Sequence, residues 1–113
     1  MDGRLPAHVE VSGLLRAVQA AGGFATVLAK GERDAGTLLV ICCDRGTQAR
    51  AWERMPQRDG TRKWAVSKVQ DAENPHDFSD YCDRRRSQDP DLWVVELDIA
   101  DADRFIGNLT AGG

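Results

Sequence analysis

Histidine, tyrosine and cysteine are scarce in this chain of 113 residues, which holds two, one and three of them. His8 and His76 stand far apart, and no spacing ties either to Ser12, Ser67 or a cysteine, so no nucleophile–base pair stands out. Cys42, Cys43 and Cys82 are an odd number and lack the C-x₂-C spacing of a zinc site. They read as free thiols of a reducing compartment. Cys42 and Cys43 are neighbours on an expected strand, so their side chains point to opposite faces. There is no glycine-rich phosphate loop and no metal-ligand motif, and no cofactor is expected. No apolar run approaches the roughly 20 residues that span a bilayer. The opening stretch, MDGRLPAHVE, lacks the apolar core of a secretory signal, so a cytoplasmic location is expected. The net charge of −3 excludes a global attraction to nucleic acid or to an anionic membrane, and leaves only a local basic patch for such a contact.

The length that is there suits one domain, 1–113, which can bury about two thirds of its unfolded surface. Val11, Leu14, Leu15 and Val18 recur at helical spacing, and Gly22 and Gly23 supply a stop. Residues 8–11 alternate and fit either this helix or a short strand. GFATVLAKG and TLLVICCD read as strands whose link, GERDAG, suits a hairpin. The run 38–43 is apolar on both faces, as in a central covered strand. In TQARAWERM, Gln48, Arg50, Trp52 and Arg54 share one face, and Thr47, Ala49, Ala51, Glu53 and Met55 the other. KWAVSKV follows. A two-residue turn at Asp59-Gly60 would bring Pro56 into the ladder, so a longer loop is expected. Asn74 suits an N-cap and Pro75 the first helical position; that helix runs to about Gln88. DLWVVELDI is a strand and DADRFIGNL a last short helix. The order α-β-β-β-β-α-β-α with short links predicts an α+β fold. It consists of a mostly antiparallel sheet of about five strands with two or three helices packed on it.

The densest chemistry lies in DRRRSQDPDLWVVELD, residues 83–98. Arg84 follows Asp80 by four residues and Arg86 follows Asp83 by three, spacings that pair charges on one helix. Arg85 has only Tyr81 and Cys82 at those offsets. It is expected to find an acid outside its helix, Glu96 first and Asp98 second. Trp93, Val95, Leu97 and Ile99 form a core face; Leu92, Val94, Glu96 and Asp98 form the other. Asp89 and Asp91 can make turn bonds around Pro90.

This arginine-rich helix followed by DPDLWVVELD resembles the bacterial family of uncharacterised proteins called domain of unknown function 1491. GERDAG resembles that family's G-D-x-D-A-G, and LLRAVQAAGGFATVL resembles its start. The matching residues include Arg16, Gly31, Asp34, Ala35, Gly36, Arg85, Asp89, Pro90, Asp91, Leu92, Trp93 and Glu96. Glu32 stands where the pattern has aspartate, and IADADRF replaces a short charged turn. The resemblance implies a fold and assigns no activity, ligand or partner.

Three functional readings follow. The first is a non-enzymatic binding or adaptor module. The second is a metal-dependent hydrolase or nuclease using Asp89, Asp91 and Glu96, with Arg85 holding phosphate; no lysine follows Asp91 to assist it. The third is weak nucleic-acid binding by the basic hairpin 47–69, where Arg50, Arg54, Arg58, Arg62, Lys63 and Lys68 surround Trp52 and Trp64. An acidic protein surface could use the same hairpin. The candidate interaction residues are thus Arg85, Asp89, Asp91, Trp93, Glu96 and Asp34, together with Arg50, Trp52, Arg54 and Arg62.

Overall fold

Leucine, valine, isoleucine and cysteine fill both faces of the run 38–43, and such a run is stable only with cover on both sides. The computed structural model describes residues 5–111 and places this run, β2 (Leu38–Asp44), at the centre of a five-stranded sheet. The elements are α1 (Ala7–Ala20), β1 (Phe24–Ala29), β2, β3 (Thr47–Pro56), β4 (Arg62–Val69), α2 (Pro75–Gln88), β5 (Trp93–Asp98) and α3 (Ala102–Ala111). The α+β class and the order of elements agree with the sequence. Residues 8–11 lie in α1. That helix ends as expected: Gly22 takes a positive φ of 88°, and Gly23 N–H closes back on the Val18 carbonyl at 2.9 Å.

The strand order is β1-β5-β2-β3-β4, and this corrects the expectation of a mostly antiparallel sheet. The sheet is mixed, with β2 and β5 running parallel at its centre. GERDAG is not a hairpin, because β5 lies between β1 and β2. Residues 30–37 bridge that strand, a gap of about 10 Å at two strand spacings. The reason is burial. β2 and β5 are the two most buried strands, and adjacency lets each protect the other's edge.

The two faces carry separate cores. Leu38, Val40, Cys42, Trp93, Val95 and Leu97 pack with α1 and α3, joined by Trp52 and Trp64. Leu39, Ile41, Cys43, Ala49, Ala51 and Val94 pack against Phe78 and Cys82 of α2. Cys42 and Cys43 thus face opposite ways, and all three cysteines are free and buried. The β3–β4 connection is the longer loop: Pro56 pairs with Arg62, and Gln57 N–H bonds the Thr61 carbonyl at 2.8 Å. Pro56 is tolerated because β3 extends past its partners on β2 there. α2 has the expected bounds, but Asn74 makes no side-chain capping bond. No described helix is long and apolar enough to cross a membrane.

Candidate functional site

The bridging residues 30–37 pass over the start of β5, so GERDAG and DPDLW meet. Glu32 N–H bonds the Asp91 carbonyl at 3.0 Å, Trp93 N–H bonds the Thr37 carbonyl at 2.8 Å, and the Trp93 indole N–H bonds the Glu32 carbonyl at 2.7 Å. The Glu32 carboxylate folds back onto the Asp34 N–H at 2.8 Å and onto the Ala35 N–H. These backbone bonds hold its pKa below the ordinary carboxylate value, those from Ala35 and Asp34 foremost. The same segment caps α1. Ala7 and His8, whose N–H groups a helix start leaves unpaired, donate to the carbonyls of Asp34 and Arg33 at 3.0 and 2.9 Å. Asp34 itself lies 3.8 Å from His8 and 3.9 Å from Arg33 on the surface. The motif is therefore a junction of α1, the bridge and β5.

Asp89 works for this junction too. Its carboxylate accepts the Asp91 N–H at 3.1 Å and the Thr37 hydroxyl at 3.3 Å, while its carbonyl accepts the Leu92 N–H at 3.1 Å. The expected turn around Pro90 is present. Asp91 keeps an exposed side chain. It stands about 16 Å from Glu96 at strand rise, and no group of three His, Cys, Asp or Glu among the described residues could hold a metal. The three acids of the nuclease reading are not brought together. Trp93 is a core residue, as its face required.

Arg85 does leave its helix for an acid, but the acid is Glu53 of β3, which corrects the choice of Glu96 or Asp98. Arg85 donates to Glu53 from Nε at 3.0 Å and from a terminal nitrogen at 2.6 Å, and the Tyr81 hydroxyl donates at 2.7 Å. Glu53 is 7% exposed. Burial pushes its carboxyl up, yet the bonds from Arg85, Tyr81 and Ser67 outweigh it and leave the pKa lowered. Arg85 sits over β3 because α2 lies across the sheet toward β4, where Lys68 reaches Asp77 at 2.6 Å. Glu96 and Asp98 lie on the same face nearer β1; Asp98 accepts the Arg45 N–H at 2.7 Å.

The basic hairpin is largely used up. Arg50 pairs with Asp103 of α3 at 3.1 Å, and the Trp52 indole donates to the same carboxylate at 3.2 Å. Arg54 pairs with Glu10 of α1 and lies over the Trp64 ring, 4.7 Å from its centre. The expected free face of Arg50, Trp52 and Arg54 is instead the seam between the sheet and two helices. Arg58, Arg62 and Lys63 remain exposed near the loop. Glu10, Glu53 and Asp103 were not singled out by sequence. Glu53 had one signal, an acid on the otherwise small and apolar face of β3.

One cleft, of about 420 Å³, lies open between the last turns of α2 and the start of β5. Ala29, Lys30, Asp83, Arg86, Ser87, Asp89, Pro90 and Leu92 line it. The pairs expected within α2, Asp83 with Arg86 and Asp80 with Arg84, do not form among the described residues. Asp83 and Arg86 both line the cleft instead. Lys30, on the first residue after β1, was not noticed from sequence because only the fold carries it to α2.

The comparisons with known proteins agree with this geometry. The family described as protein of unknown function (DUF1491) matches residues 5–107. The crystal structure of a DUF1491 family protein from Caulobacter crescentus CB15 is 33% identical, with a TM-score of 0.75 over 88% of this chain and 92% of that one. The NMR structure of a DUF1491 family protein from the same strain is 35% identical, with a TM-score of 0.73 over 87% and 88%. The solution structure of a protein from A. tumefaciens is 31% identical, with a TM-score of 0.70 over 87% and 88%. No curated protein matches the chain. The family match and these likenesses coincide, and the chain belongs to the DUF1491 family.

Proposed function

We propose that this protein is a non-catalytic binding module whose cleft beside the DPDLW turn receives a carboxylate-bearing segment of an acidic protein. One observation carries the reading: Lys30 and Arg86 both line the cleft, and neither makes an ion pair among the described residues. Arg50, Arg54, Lys68 and Arg85, the cations that face neighbouring elements, all do. A guanidinium presents a fork that matches a carboxylate, Lys30 adds a point charge, and the Ser87 hydroxyl adds a donor. Asp83 on the same wall favours a ligand that brings an N–H beside its acid, as a peptide backbone does.

The test is a titration of the isotope-labelled protein with N-acetylated aspartyl-glutamate, read by amide shifts at low and at physiological salt. Perturbations should centre on residues 30, 83, 86 and 87. They should weaken as salt rises, because the site is open to solvent. Lys30→Ala and Arg86→Ala should each remove most of them. Shifts confined to Arg58, Arg62 and Lys63 would transfer the site to the hairpin tip and revive the nucleic-acid reading. A flat titration sinks the proposal.

A further inference from the structure

α2 covers only part of its side of the sheet. It lies toward β4, where Lys68 reaches Asp77, and leaves β1 and the second half of β5 open on that side. On the open part Thr26 pairs with Glu96 and Phe24 with Asp98, so these four side chains share one face. Phe24 is 76% exposed. The next pair on that face is Ala29 with Val94, and there the cleft begins, since Ala29 and Lys30 line it. The cleft and the open face thus form one surface along β5, cationic at Lys30 and Arg86 and acidic at Glu96 and Asp98. Asp98 accepts the Arg45 N–H at 2.7 Å. Glu96 makes neither an ion pair nor a side-chain hydrogen bond among the described residues.

We infer, resting on the cleft reading above, that the segment received there also carries a cation about four residues from its carboxylate, and that Glu96 binds it. Leu92 at the cleft and Glu96 are four residues apart on β5, about 13 Å at strand rise, and an extended ligand laid along the strand advances by the same step. Charge decides the ligand's pattern. A segment of acids alone would run from Arg86 onto Glu96 and Asp98 and be repelled there, whereas a change of sign meets an opposite charge at both ends. The apolar stem of a lysine has the exposed Phe24 ring to lie against, diagonal to Glu96 across the strand pair. Both charged contacts stand at the surface, so each adds little strength, and the order of charges supplies selectivity.

The probes are pentapeptides blocked at both ends, Asp-Ser-Val-Ser-Lys and Lys-Ser-Val-Ser-Asp, and the same two with glutamine in place of lysine. Amide shifts of the isotope-labelled full chain give each dissociation constant. The tighter lysine peptide should bind about three- to fivefold better than its glutamine counterpart, the usual worth of a surface pair. It should shift residues 24, 26 and 96 besides 30 and 86. Glu96→Gln should abolish the preference and Glu96→Lys should reverse it. Glu73→Lys changes an exposed acid beyond β4 and should leave the preference intact, which separates a site from an effect of net charge. Lysine and glutamine peptides that bind the unmodified protein equally overturn the inference and leave the cleft reading standing. No binding by any of the four overturns both. A preference that survives Glu96→Gln, or that Glu73→Lys removes as well, also overturns the inference.

Discussion

Glu53 shows what one buried carboxylate demands. It meets three donors, and removing the strongest leaves a charge away from water with only hydroxyls to hold it. Arg85→Ala should therefore cost about 2–3 kcal/mol, while exposed Arg84→Ala and Arg86→Ala should stay within about 0.5 kcal/mol. Denaturant midpoints of the three variants decide this, and equal small effects would reject the role given to Arg85. Arg86 makes a useful contrast, since its loss should spare stability and abolish carboxylate binding at the cleft. The pH dependence follows from the lowered pKa of Glu53, whose ordinary value is 4.5. Folding favours its ionised form, so the stabilisation is complete above about pH 4.5 and is lost as the pH falls through the lower folded value. Glu53→Gln lacks this loss. The difference in melting temperature between it and the unmodified protein should narrow in acid; a constant difference would deny that Glu53 titrates in this range.

Among the elements, two glycines should respond in opposite ways to the same change. Gly13 lies within α1 with nothing within 4 Å of an added Cβ. Gly13→Ala should stabilise by about 0.5–1 kcal/mol, through the backbone entropy that glycine loses in a helix. Gly31 is pressed against the turn before β5, where a Cβ would overlap the Asp91 carbonyl. Backbone must move to admit it, and Gly31→Ala should cost at least about 2 kcal/mol. Thermal melts of both variants test the bridge directly, because a true hairpin at GERDAG would have tolerated alanine at Gly31. The helices and strands were legible in the sequence to within a residue or two, since each has a strong period and an explicit stop. The partner of each strand was not: adjacency in sequence favoured a β1–β2 hairpin, and long-range burial of β2 against β5 overrode it.

At the scale of the whole molecule, the three thiols report on global opening. Burial, then the charge of Asp103, pushes Cys42 up to about 12, and burial pushes Cys82 up to about 11. The thiolate is the reactive form, so neither should react at an appreciable rate while folded. Cys43 is raised as well, by burial first and by Asp98 and Glu96 next. Alkylation at about pH 8 should thus proceed at the rate of unfolding, with all three cysteines modified together as denaturant is added. Fast labelling of Cys82 alone would instead mean that α2 detaches from the sheet without the rest.

Composition, period and turn residues alone determined the α+β class, the bounds of most elements, the inward faces of β2 and β5, and the need of Arg85 for a distant acid. These are local properties, set by dihedral preference and by which side of an element is apolar. Tertiary structure alone decided that the acid is Glu53, that Arg50 and Arg54 are spent on Asp103 and Glu10, and that Lys30 stands beside Arg86 over an open cleft. Each depends on which strands lie side by side. That choice rests on which strands can be covered on both faces and both edges at the centre of the sheet, a sum over the whole chain that no single stretch of it contains.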